Sequence, residues 1–237
     1  MKRSKALLTL LCAAALVATS VFGTMAYLTD EDAVTNTFTV GQVEIKLNEA
    51  PVDENGKETA GDRVTENQYH LLPGHEYDKD PTVTILEDSE SSYVRMLMTV
   101  HNASAVQAII DADDAGENKV KDYADLFKGW KNDKWLYEGF RADEAANAIT
   151  FEFRYHTAVA APDDKNAETD GVELEPLFTQ LVVPGYVTNE QIAALYGTQT
   201  DAEGDFVVNV VAHAIQAAGF ADADAAWTAF DQQNPNA

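Results

Sequence analysis

The stretch "DADDAGENKVKD", Asp111 to Asp122, sets Asp111, Asp113, Gly116 and Asp122 at positions 1, 3, 6 and 12 of a calcium loop of the EF-hand kind. Ala115 stands at position 5, where a side-chain oxygen is wanted, and Asp122 is shorter than the bidentate Glu that closes such loops. A solvated acidic loop joining two helices explains the same residues; a weak calcium site is the one cofactor the sequence offers. Zinc chemistry has a single starting point, His75-Glu76. Lys79 occupies the place of the second histidine of H-E-x-x-H, and Pro73-Gly74 just before it predicts a turn, where two ligands cannot share a helix face. His70 and His75 read as solvated residues flanking that turn, and His101, His156 and His213 as strand residues among polar partners. The serines after residue 26 are Ser89, Ser91, Ser92 and Ser104, none in a G-x-S-x-G elbow. Cys12 is the only cysteine, and Leu11 precedes it where a lipoprotein signal needs a small residue. With 40 Asp plus Glu, carboxylate pairs are too common to be informative. No catalytic residue can be named, and the expectation is a protein that is not an enzyme.

The start of the chain explains where Cys12 belongs. Lys2, Arg3 and Lys5 precede a run from Ala6 to Leu28 with no charged side chain, the pattern of a secretory n-region and h-region. Thr24 and Ala26 fall at the −3 and −1 places of a cut before Tyr27, so residues 1–26 read as a signal peptide. A retained membrane anchor is the alternative, since a span needs ~20 apolar residues; dilution by Ala, Thr, Ser and Gly and the small-x-small ending favour cleavage. The full chain carries a formal charge of −24, and loss of three cations with the signal makes this −27. Such a surface repels nucleic acid and anionic membranes, leaving membrane contact only through the signal before cleavage.

These residues need elements to place them. Alternation runs through Phe38 and Val40, slips phase at Gly41 as at a β-bulge, and continues through Val43, Ile45 and Leu47. Residues 50–67 are rich in turn formers and read as an exposed loop. Val83 and Ile85 alternate with threonines, and "SYVRMLMTVHN" predicts a strand with Val94, Met96, Met98 and Val100 on one face. Helical spacing of Val106, Ile109 and Ile110, then Val120, Tyr123, Phe127 and Trp130, predicts a helical insertion around 103–130. Ala148 to Tyr155 and Leu177 to Val183 read as strands, Thr188 with Gln191 as a capping box for a helix through Tyr196, and "FVVNVVAHAIQAAGF" as a long strand before a final helix bearing Trp227 and Phe230. Six or seven strands at hairpin spacing argue for a mainly β, antiparallel sandwich forming a single domain over 27–237, with inserted helices and a short C-terminal helix.

Several of these motifs occur in an order that resembles the TasA/camelysin family of exported bacterial matrix-fibre proteins. Ala26, Tyr27, Asp30, Thr37-Phe38, Gly41, Ile45 and Leu47 match its signal end, aromatic residue, acidic stretch and first strand. Leu71, Pro73, Gly74, Lys79 and Asp80 match its Leu-x-Pro-Gly turn with a following Lys-Asp, and "VVNVVAHAIQAAGF" is similar to its closing strand. The likeness covers the two ends of the chain and fades in the middle. It implies a jelly roll, a dedicated signal peptidase, an extracellular matrix or cell-surface location, and self-association into fibres with room for an accessory matrix protein. In such fibres the freshly cut N-terminus becomes a donor strand for a neighbour, a role that would fall here on Tyr27, Leu28, Thr29, Asp30 and Val34. The alternatives are an extracellular metallopeptidase of camelysin type and a monomeric, surface-anchored binding module.

Overall fold

A computed structural model describes residues 29–32, 43–112, 120–130, 132–160, 171–196 and 208–235. In chain order the elements are β1 (Thr29–Asp32), β2 (Ile45–Asn48), β3 (Glu76–Asp78), β4 (Thr82–Leu86), β5 (Ser92–His101), α1 (Ala103–Asp111), a 3-10 turn (Tyr123–Asp125), β6 (Phe127–Lys128), β7 (Trp135–Asp143), β8 (Ala148–Tyr155), β9 (Gly171–Glu173), β10 (Gln180–Val182), α2 (Asn189–Tyr196), β11 (Val208–Gln216) and α3 (Ala223–Gln233). They form a five-stranded sheet in the order β1-β11-β5-β8-β7 and two three-stranded sheets, β3-β10-β6 and β2-β4-β9. Every strand pair is antiparallel. The chain is therefore mainly β, as expected.

Strand β5 lies at the centre of the large sheet because both of its faces can be buried. Val94, Met96, Met98 and Val100 are wholly buried against the main core, and Arg95 and Leu97 on the other face are also covered. Phe151 and Phe153 of β8 extend the inner face, and Val83 and Ile85 of β4, Tyr77 of β3, Phe127 of β6 and Leu181 of β10 close on it from the smaller sheets. Full burial of each such side chain contributes ~1.5–3 kcal/mol. A second, smaller cluster of Ile215, Ala226, Trp227 and Phe230 fills the opposite face of the large sheet under α3.

The expected helical insertion is only partly helical. Val106, Ile109 and Ile110 do form the buried stripe of α1. Tyr123 lies in a 3-10 turn, however, and Phe127 in a short strand beside β10. Aromatic residues at helical spacing were equally able to serve a strand, where pairing with Leu181 and an edge-to-face contact with Phe178 hold Phe127. The loop at 50–67 also has more order than its composition predicts. Bridges join Glu49 to Val64 and Val52 to Glu58. Gly56, at φ +68°, lets the backbone pass Tyr77 where a Cβ would stand 2.3 Å from a ring carbon. The strands β3, β7 and β9 were not anticipated; β7 is a nine-residue edge strand with a bulge at Glu138 between Tyr137 and Gly139.

Candidate assembly site

The Pro-Gly turns pack on each other. The Gly74 amide donates to the Val183 carbonyl at 2.9 Å, and a Cβ on Gly74 would stand 3.6 Å from the Gly185 Cα. After the first turn, Lys79 and Asp80 fasten the 50–67 loop: Lys79 Nζ meets Glu49 Oε2 at 2.6 Å, and Arg63 donates to Asp80 Oδ2 at 2.8 Å and to Asn48 Oδ1 at 2.7 Å. The Lys-Asp pair is thus structural. His75 is exposed at this turn, and no zinc helix forms around it.

The N-terminal strand β1 lies along β11, with Thr29 opposite Ile215, Asp30 opposite Ala214, Glu31 opposite His213 and Asp32 opposite Ala212. Backbone pairing needs no particular side chains, so an acidic tetrapeptide can take this place. Ala212 to Ile215, the stretch beside β1, is fully buried, whereas Val208 to Val211 is partly or fully exposed and has no strand on that edge among the described residues. The other face of β11 is backed by α3. Asp222 caps this helix, accepting from the Ala225 amide at 2.9 Å, and Ala226, Trp227 and Phe230 face the sheet.

Arg95 of β5 holds α3 in place. Its guanidinium carbon lies 4.7 Å from the Trp227 ring and 4.8 Å from the Phe230 ring, Nη2 meets Asp231 Oδ1 at 2.8 Å, and Nε donates to His213 Nδ1 at 3.1 Å. Arg154 of β8 adds a contact to Asp224 at 2.6 Å. His213, expected among polar partners, has one in Arg95 and is also wholly buried and stacked on Phe230 at 4.9 Å. Burial, and secondarily the Arg95 charge, lowers its pKa from 6.5 to about 4. An Nδ1 that accepts from Arg95 also carries no proton. The imidazole is therefore neutral at pH 7.

Two of the other predicted site residues make local hydrogen bonds. Asp111 is exposed at the end of α1 and accepts from Gln107 Nε2 at 2.8 Å. Asp122 caps the 3-10 turn, accepting from the Ala124 amide at 2.9 Å. Asp113 lies outside the described residues, as do Thr24, Ala26, Tyr27, Leu28 and Val34. Among the described residues no group of three or more His, Cys, Asp or Glu is placed to hold a metal, and no helix is long and apolar enough to cross a membrane. Sequence reading missed the Arg95 cluster, although an arginine amid the apolar run of β5 signals a partner on the covering layer. No family model, curated protein or solved structure matches the chain.

Proposed function

We propose that this chain is a secreted structural subunit of extracellular matrix or surface fibres, released by a dedicated signal peptidase and joined by N-terminal strand addition to a jelly-roll core. The observation that carries the reading is the place of β1: the segment just beyond the predicted cut occupies the edge of the large sheet beside β11. The same edge in a neighbouring copy accepts the same strand. Within one chain, roughly four ladder hydrogen bonds at ~0.5–1.5 kcal/mol each hold β1, and an intramolecular strand enjoys an effective concentration on the order of millimolar. Exchange between copies re-forms the same bonds, so polymerisation is a swap that requires crowding or additional contacts along β11.

The order of resembling motifs supports the same reading, with Lys79 and Asp80 fastening a loop and the chain closing on the long strand β11. Before cleavage the signal tethers the segment at the membrane, so proteolysis acts as the switch. The test is to delete Tyr27–Val34 and to follow assembly of the secreted chain by light scattering and electron microscopy. A truncated chain that stays folded but no longer forms fibres is expected; one that assembles as readily as the parent overturns the mechanism.

A further inference from the structure

Among the described residues no strand pairs with the opposite edge of the large sheet, β7, and that edge carries exposed apolar side chains. Leu136, Tyr137 and Phe140 are 45%, 48% and 63% exposed. Tyr137 and Phe140 stand on the core face, where their rings lie 5.6 Å from Phe153 and 6.1 Å from Phe151 and continue the buried aromatic cluster to the surface. The bulge at Glu138 lets both reach that face. Glu138 and Arg141 project from the other face, lining the cavity they share with Arg95, Glu152 and Asp231. Neither has an ion-pair partner among the described residues. In so acidic a chain an unpaired, exposed Arg at a sheet edge is conspicuous.

We propose that β7 pairs antiparallel with β7 of a second copy about a two-fold axis at Phe140, joining the two large sheets into one of ten strands. Strand registry selects this arrangement. With Phe140 opposite its symmetry mate, each Glu138 faces the other copy's Arg141, each Tyr137 faces Ala142, and each Leu136 faces Asp143. Shifting one partner by two residues one way places Glu138 against Glu138; shifting it the other way places Arg141 against Arg141. Slipping by one residue sets the core face of one strand against the outer face of the other. Only the Phe140-centred pairing brings opposite charges together on one face and aromatic rings together on the other. Guarded edges carry like or inward-pointing charge that repels any partner; here one anion and one cation flank Phe140 symmetrically, which suits a self-complementary, isologous contact. This contact is independent of the β1 edge and goes beyond the fibre reading.

Covalent capture tests it in the full chain with Cys12→Ser. Leu136→Cys and Asp143→Cys chains are made separately and oxidised alone or mixed. The proposed pairing puts position 136 of one copy beside 143 of the other, whereas like positions lie ~20 Å apart at ~3.3 Å per residue. The mixture is expected to give a disulfide-linked dimer on non-reducing gels, and each chain alone to stay monomeric. Adding Glu138→Arg to both chains should abolish the product, and adding Arg141→Glu as well should restore it. No dimer in the mixture, equal capture by each chain alone, or indifference to charge reversal would overturn the proposal. Deleting Tyr27–Val34 should leave the cross-link intact while abolishing fibres, so the two readings fail separately.

Discussion

Arg95 shows what one side chain can decide in this protein. It emerges from the most apolar strand and packs over both the Trp227 and Phe230 rings, with its charge met by Asp231. Arg95→Met keeps much of the stem packing but removes the hydrogen bonds and the cation–π contacts, and should cost ~2–4 kcal/mol by denaturant titration, with a changed Trp227 fluorescence. Its neighbour His213 makes stability depend on pH. The pKa is about 4 in the folded chain, below the ordinary 6.5, so the unfolded chain binds a proton more readily through this interval. Stability from this residue is complete above pH 6.5 and declines as pH falls towards 4, by on the order of 3 kcal/mol at ~1.4 kcal/mol per unit. His213→Gln should flatten the stability curve between pH 6.5 and 4. Below that interval Asp78, its carboxyl held low by hydrogen bonds from Gln180 and the Glu58 amide despite partial burial, adds a further loss. The final helix bearing Trp227 and Phe230 was legible in the sequence; the cation packed on its two rings was not, because Arg95 lies more than a hundred residues from Trp227.

Among the elements, those with one strong period were readable from sequence. The alternation of β5 and β8 and the capping box of α2, where Thr188 and Gln191 exchange hydrogen bonds at 3.0 and 3.2 Å, appear where expected. Strands of two or three residues leave no period to read. Strand β9 exists because Gly171, at φ +139°, lets the chain lie beside β4 with the place of a Cβ only 2.0 Å from the Ile85 carbonyl oxygen. Since that neighbour is backbone and cannot rotate away, Gly171→Ala should destabilise the chain by ~2 kcal/mol or more, read as a lowered Tm, while Gly219→Ala, with open space around it, should cost less. Strand β7 escaped notice for a different reason. Its bulge shifts the phase midway, so Trp135, Tyr137 and Phe140 share a face without regular alternation.

For the molecule as a whole, charge and sheet edges set the terms of association. Two copies at −24 or more repel, whereas strand exchange and edge pairing are short-range, so rising salt weakens the opposing force first. Assembly measured by light scattering should therefore increase from 20 mM to 300 mM salt and with protein concentration; assembly that falls with salt would contradict this account. Acid acts in two directions, reducing repulsion towards the pI of 4.3 while His213 loosens the layer beneath α3. Assembly should consequently peak above pH 4.3. Composition, the charge balance, the absence of cysteine after residue 12 and the long amphipathic strands are properties of residues and their near neighbours, and the sequence alone determined them. The placing of β1 beside β11, the burial of Arg95 against rings on a distant helix, and the exposure of Phe140 on the far edge were decided only by tertiary structure. Each depends on which strand lies next to which, and backbone ladders, which are nearly indifferent to side chain, do not write that choice into any local pattern.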